Sequence, residues 1–291
     1  MTRRPLAERL TSAATVLVVV AVGAALALAG SHHGVRWGEI PVYGLAVAVA
    51  FAIQWAVFVP SFLLQTERFF DLTGSLTFVT VTLGVLALGT PSARGWLLGG
   101  MVVGWAARLG TFLVGRIRRY GRDDRFDALK PYLLSFLGVW TLQGLWVSFT
   151  AGAAWIAMTS SSTIPIDAWT GVGVLVWAAG LVVEAVADEQ KRRFKRDPAN
   201  RDRFISTGLW SRSRHPNYLG EIVAWVGVAL VAAPTFTGWQ WVGLLSPVFV
   251  AVLLTKVSGI PLLEQKADAR WGGQPEYEAY KERTPVLLPR L

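Results

Sequence analysis

Eight apolar stretches, separated by loops whose positive charge alternates, constrain this chain more than any motif in it. They run near residues 13–30, 41–64, 72–90, 95–115, 131–157, 166–187, 218–233 and 236–260. A helix needs roughly 20 mostly apolar residues to cross a hydrocarbon core. The seventh stretch is the shortest, stopped by Pro234. Segments 1–12, 65–71, 116–130, 188–217 and the tail from Lys256 hold 25 of the 28 Lys and Arg residues; the alternate loops hold Arg36 and Arg94, and Arg108 lies inside a span. This segregation predicts an all-α, polytopic helical bundle of about eight spans with both termini cytoplasmic. Arg3, Arg4 and Arg9 before the first run imitate a signal peptide. That run is long, however, and no clear Ala-x-Ala site precedes a polar start, so it reads as a retained helix.

Composition agrees. Of the 291 residues 53% are hydrophobic and 16% charged, with a mean hydropathy of +0.44, against about a quarter charged in a soluble domain. With no cysteine, disulfides, thiolate metal sites and cysteine nucleophiles are excluded; with three histidines (His32, His33 and His215), no metal centre is expected. The net charge of +9 suits an anionic membrane face or a phosphate-bearing ligand. Nucleic acid is not an expected partner, because the basic residues lie in membrane-flanking loops. Membrane lipids are. The longest polar stretch is about thirty residues, too short for a separate soluble domain. The chain therefore reads as one embedded unit, with N-terminal spans 1–64 and a principal region 65–291. No internal repeat supports an inverted-repeat transporter.

The informative polar residues lie mostly in the C-terminal half. Glu184, Asp188, Lys191 and Lys195 stand at i, i+4, i+7 and i+11 and share one helical face, which Arg192 flanks. Acids at the membrane end and bases beyond suit the hydroxyls and phosphates of one long nucleotide. Arg193 and Arg196 read as ordinary interfacial anchors. Further on, Pro216 suits the first position of a helix, leaving Asn217 and Glu221 one turn apart on one face. Arg214 and His215 stand at that helix start, where free N–H groups favour an anion. Glu221 one turn into an apolar helix is costly without a partner. Arg108, mid-span, needs a carboxylate, water or a ligand; Asp71 and a cofactor phosphate are equal candidates. The tail, with Glu264 and Lys266 after Pro261 and then Tyr277 and Tyr280, reads equally as an amphipathic helix on the membrane or as a tyrosine-bearing cover over a cofactor. The 14 tryptophans suit interfacial belts and lipid-facing packing.

Gly208-Leu209-Trp210 followed by Arg214-His215-Pro216-Asn217-Tyr218-Leu219-Gly220-Glu221 resembles the C-terminal signature of the steroid 5-alpha-reductase superfamily, and looks most like its bacterial branch of integral membrane proteins. The resemblance covers roughly 65–291. It includes Asp71-Leu72-Thr73-Gly74-Ser75, Trp105-Ala106-Ala107-Arg108-Leu109-Gly110, Gly121-Arg122-Asp123-Asp124-Arg125-Phe126, Leu142-Gln143-Gly144 and Tyr277-Glu278-Ala279-Tyr280-Lys281. It implies a multi-pass enzyme of the bacterial inner membrane, monomeric, that passes hydride from NADPH to the activated double bond of a hydrophobic, enone-like lipid or steroid-like substrate. On this resemblance the cofactor would be lined by Asp188, Arg192, Lys195, Arg203, Asn217 and Glu221; Glu184, Lys191, Arg214, His215, Tyr218, Tyr277 and Tyr280 join them as cofactor candidates by their place on the same face, helix start or tail. Asn217 and Glu221 fill the family's Asn-x-x-x-Glu pattern, and Glu184 stands where steroid reductases usually carry Asn. Hydride addition to an enone requires a proton donor at the carbonyl oxygen. The matching position holds Asp71, and Trp105 stands where a Tyr is expected. Asp71, Arg108 and Tyr120 are accordingly the catalytic candidates, and Gly121–Phe126 reads as a cofactor-covering loop or a solvated turn.

Arg214-His215-Pro216-x-Tyr218, Pro234 and Glu264 before Tyr280-Lys281-Glu282-Arg283-Thr284-Pro285 are also similar to isoprenylcysteine carboxyl methyltransferases, which use S-adenosylmethionine. The basic cluster around 191–203 favours phosphate-rich NADPH over that sulfonium cofactor. A non-catalytic lipid-binding or transport protein is the third reading; it leaves Asn217 and Glu221 without a role.

Overall fold

A computed structural model describes residues 5–89, 92–120 and 126–289, with backbone alone for 112–114 and 116–120. The fold is all-α. Seven helical segments among the described residues are long and apolar enough to cross a membrane: Leu6–Gly30, Val42–Leu63, Phe70–Leu88, Leu133–Thr150, Ala168–Arg196, Pro216–Thr235 and Gly238–Trp271. The expected stretch 95–115 lies in a 28-residue helix, Ala93–Tyr120, part of which falls outside the described side chains. A two-stranded hairpin pairs β1 (Arg36–Trp37) with β2 (Ile40–Pro41).

The chain divides into two compact units: residues 1–167 with 232–246, and residues 168–231 with 247–291. The first contains α1 (Leu6–Gly30), α2 (Val42–Leu63), α3 (Phe70–Leu88), α4 (Ala93–Tyr120), α5 (Leu133–Thr150) and α6 (Gly152–Thr159). The stretch expected as one span over 131–157 is thus two helices, and all eight residues of α6 are buried. Close packing explains why a bend there carries no polar signature. Gly152 would bring a Cβ within 3.5 Å of the Tyr43 hydroxyl, and the Trp155 indole donates to Thr82 Oγ1 at 2.9 Å.

Several polar side chains inside this unit find partners there, as an apolar surround favours. The Gln54 amide donates to Thr77 Oγ1 at 2.7 Å, and the Gln143 amide to the Phe70 carbonyl at 3.0 Å. Phe58, Phe126, Phe136 and Trp140 form an aromatic core, with Phe70 against both Phe126 and Trp140. Beside this core Glu67, buried, accepts from Lys130 Nζ at 2.6 Å, and Asp127 accepts from the same ammonium at 2.8 Å. Burial alone would pull the Lys130 ammonium down. Its bonds to Asp127 and Glu67 outweigh burial and hold it above the ordinary lysine value.

The second unit contains α7 (Ala168–Arg196), most of α8 (Pro216–Ala232), the end of α9 (Leu245–Val252), α10 (Ile260–Trp271) and α11 (Pro275–Arg283). The expected stretch 236–260 is not one regular helix. A 3-10 helix (Gly238–Leu244), α9 and a π-turn (Leu253–Val257) follow one another, and the chain then breaks at Ser258–Gly259 before α10. Pro261 in the first turn of α10 fits this restart, because it has no N–H to lose there.

Candidate functional site

Two glycines on α7 and two on α8, each pair seven residues apart, set the geometry of the second unit. A Cβ on Gly180 would lie 2.4 Å from Ala224 N and 2.6 Å from the Gly220 carbonyl oxygen. One on Gly220 would lie 2.5 Å from Glu184 N, and one on Gly227 2.4 Å from Trp177 N. Gly173 meets Val231 N at 3.0 Å in the same sense. The two helices therefore touch backbone to backbone, the approach that small residues permit in lipid.

This contact has a chemical result. The backbone of Glu184, a buried acid, abuts α8 at Gly220. Asn217 and Glu221 lie about 60° and 100° round α8 from Gly220, on one flank, by the 3.6-residue turn. Both are half-buried, as are Asp188 and Lys191 farther along α7. An acid on one helix and an amide–acid pair on its neighbour thus share one level of the unit.

Beyond them the chain 197–215 folds back on α7. Gly208, at φ +62°, is in the left-handed region that glycine tolerates, and a Cβ there would also strike the Gln190 amide at 2.6 Å. The Gln190 side-chain oxygen accepts from Leu209 N at 2.9 Å. Trp210, buried, donates its indole N–H to the Ala187 carbonyl at 3.0 Å, and Lys191 Nζ sits 4.5 Å above the Trp210 ring. The Gly-Leu-Trp motif is therefore a clasp on the outer end of α7.

At the start of α8, Glu264 from α10 takes two partners. Its Oε1 is 2.8 Å from His215 Nε2, and its Oε2 is 3.1 Å from the Arg214 guanidinium. His215 is buried and stacks on Tyr218 at 5.8 Å. Arg214 N donates to the Pro285 carbonyl at 3.0 Å, bringing the tail to the same place. Tyr277 and Tyr280 of α11 are both buried. The Tyr280 hydroxyl donates to the Trp210 carbonyl at 2.7 Å and the Tyr277 hydroxyl to Asp268 Oδ1 at 3.2 Å. Burial pushes both phenols up to about 12, with Asp268 adding to the effect at Tyr277. Phe204 lies against Trp271, Tyr277 and Tyr280.

The sequence candidates therefore fall into four groups. Glu184, Asn217, Glu221, Arg214, His215, Tyr218, Asp188 and Lys191 lie along the α7–α8 contact or at its end. Arg192, Lys195 and Arg203 are exposed, and Arg192 pairs with Glu189, as does Arg193. Tyr277 and Tyr280 have their hydroxyls engaged by Asp268 and the Trp210 carbonyl. In the first unit, Asp71 is half-buried in the first turn of α3 and Arg108 half-buried in α4, where Gly110 packs against Ser75. Trp105 is fully buried edge-on to Phe78. Tyr120 closes α4; its side chain and residues 121–125 lie outside the described part. Sequence reasoning named Glu264 within the carboxyl-methyltransferase resemblance but missed its double bond to His215 and Arg214. It also missed the Glu67–Lys130 pair.

The helices and their polar interior define a multi-pass helical membrane protein with a polar site in its C-terminal half. Residues 57–284 match the family described as protein of unknown function (DUF1295), and the chain belongs to that family, which is steroid 5-alpha-reductase-like. An uncharacterized protein of Schizosaccharomyces pombe is 26% identical over 220 residues, 64% of this chain and 61% of that protein. A probable O-methyltransferase, ustE, of Ustilaginoidea virens is 33% identical over 70 residues, 24% of this chain and 25% of that protein. The chain thus spans about three fifths of the first relative and a quarter of the second. No solved structure matches.

Proposed function

We propose that this protein is a membrane-embedded reductase that uses NADPH to saturate the activated carbon–carbon double bond of a hydrophobic, enone-like lipid. The observation that carries the reading is the α7–α8 contact at Gly180 and Gly220, which sets Glu184 beside the Asn217–Glu221 flank. From Glu184 to Lys195 the helix rises about 16 Å. Over that length carboxylates give way to the ammonium groups of Lys191 and Lys195, with Arg203 beyond. An amide- and hydroxyl-rich group at one end and phosphates at the other fit that order. In this role Asn217 and Glu221 bind and orient the amide end, Glu184 and Asp188 accept from hydroxyls, and Lys191, Lys195 and Arg203 neutralise phosphate. When bound, NADPH supplies the hydride. His215, held by Glu264, braces the start of α8 so that Asn217 keeps its register.

A second reading, methyl transfer from S-adenosylmethionine, has its own support. Glu264 joins the Arg-His-Pro motif that resembles the carboxyl methyltransferases, and a short stretch of the chain is similar to a probable O-methyltransferase. Binding of each cofactor to detergent-purified protein separates the two. NADPH binding, weakened at least tenfold by Asn217→Ala and by Glu221→Ala, is the expected result. Binding of S-adenosylmethionine alone overturns the reductase.

A further inference from the structure

Six of the fourteen tryptophans are exposed, and they are not spread evenly. Trp55 lies midway along α2. The other five, Trp37, Trp96, Trp169, Trp239 and Trp241, are 49–72% exposed and sit in the hairpin 36–41, in the first turns of α4 and α7, and in the 3-10 helix Gly238–Leu244. None lies in the five segments that hold nearly all the basic residues. Trp37, Trp96, Trp239 and Trp241 belong to the first unit.

The scaffold that carries them is extensively bonded. The hairpin of β1 and β2 is closed by Val42 N donating to the Val35 carbonyl at 3.0 Å, and anchored by Val35 N donating to the Thr159 carbonyl at 2.7 Å. Trp37 and Ile40, opposite each other in its register, are both exposed. The 3-10 helix Gly238–Leu244 starts with a capping box of Thr237 and Gln240. Gly238, at φ +52°, lies so close to the His32 ring that a Cβ would be 2.5 Å from it. Gln240 is wholly buried and accepts from Ser160 Oγ at 3.1 Å, while its neighbours Trp239 and Trp241 project outward. The indoles are therefore presented by a braced surface.

One of the rim's two arginines is withdrawn into the protein, while Arg36 stays exposed beside Glu39. Arg94, 1% exposed, donates to the Ile164 and Pro165 carbonyls and to Asp167. The Arg36 guanidinium donates to the Glu39 carbonyl. A surface with four exposed indoles, an exposed isoleucine and no projecting lysine is poorly matched to bulk water. An indole has an apolar body and one N–H donor, which fits the boundary between acyl chains and ester carbonyls. The rim is also continuous with α1 and α2, whose lipid-facing lengths of about 37 and 33 Å cover a bilayer core.

We propose that this tryptophan rim is a lipid-binding surface, seated in the headgroup–acyl boundary of the leaflet opposite the basic loops and requiring no anionic lipid. The assignment is independent of the cofactor reading. It is tested with the full chain in nanodiscs of phosphatidylcholine alone, comparing the wild type with Trp239→Phe/Trp241→Phe by fluorescence difference. Lipids brominated high on the acyl chain should remove most of the difference signal. Lipids brominated near the chain end should remove much less, and aqueous iodide almost none. Quenching by iodide instead would place these residues in water and overturn the assignment. Quenching by neither would mean that protein, such as a second copy of the chain, covers them, and would overturn it equally. Helicity and monodispersity check the double variant, and Trp37→Phe reads the same rim if that variant does not fold.

Discussion

Substituting alanine at Gly180 tests the close approach on which the candidate site depends. The added Cβ would lie 2.4 Å from Ala224 N and 2.6 Å from the Gly220 carbonyl, whereas ordinary contact begins near 3.4 Å. Both obstacles are backbone, so no side chain can swing aside and the helices must part by about 1 Å. Overpacking of this kind costs about 1–3 kcal/mol. A 1 Å displacement of Glu184 from Asn217 and Glu221 is enough to lower activity by about a hundredfold where chemistry depends on alignment. Gly171 on the same helix is the control, because a Cβ there meets nothing within 4 Å. At that open helical position alanine should be neutral or stabilising by about 0.5–1 kcal/mol. Thermal unfolding in detergent, followed by NADPH titration, reads both effects. Gly180→Ala should lower the midpoint and weaken binding, and Gly171→Ala should do neither. Equal behaviour of the two variants would refute the backbone contact and the site built on it.

Two further outcomes follow from the ionised and phenolic groups outside the spans. Lys130→Met should destabilise the first unit by about 3–5 kcal/mol by leaving the buried Glu67 carboxylate uncompensated, and Glu67→Gln in the same chain should restore most of the loss. Because the folded-state value of Lys130 is raised, its contribution is complete below the ordinary lysine value of about 10.4 and fades as pH rises through the folded value. Alkaline unfolding should therefore be blunted in Lys130→Met. Tyr277 and Tyr280, pushed up to about 12, stay neutral through the working range. Their stabilisation is complete below the ordinary tyrosine value of about 10 and is lost above it as pH climbs through the folded value. Ultraviolet titration should show two late phenolate steps that Tyr277→Phe and Tyr280→Phe each remove singly.

The helical class was legible because hydropathy and charge segregation act along the chain, and each expected stretch lies in helical backbone. What could not be read was where those helices bend. All eight residues of α6 are buried and so are ten of the eighteen in α5, so the apolar pattern has little period to mark the break at Ala151. The π-turn at Leu253–Val257 has no residue signature of its own. At the site, the Asn217–Glu221 spacing was visible because both residues lie on one helix. Their approach to Glu184 was not, since it rests on glycines of two separate helices meeting in register. Glu264 stayed hidden for the same reason: its partners His215 and Arg214 are 49 and 50 positions earlier. Arg94 was counted as a loop cation, yet it is buried as a clamp on the Ile164 and Pro165 carbonyls.

The first unit is discontinuous in the chain, and this dictates an order of assembly. Residues 232–246 belong to it, and Gln240 and Ser246 supply bonds to Ser160 and Thr150 that its earlier residues lack. During synthesis, α1 to α6 are complete long before those bonds can form, and α7 and most of α8 must emerge in between. The Trp239–Trp241 turn is thus a late keystone: until it is translated, Ser160 and the carbonyl of Thr150 wait without their partners. The unit is whole only once the chain through Ser246 has left the ribosome.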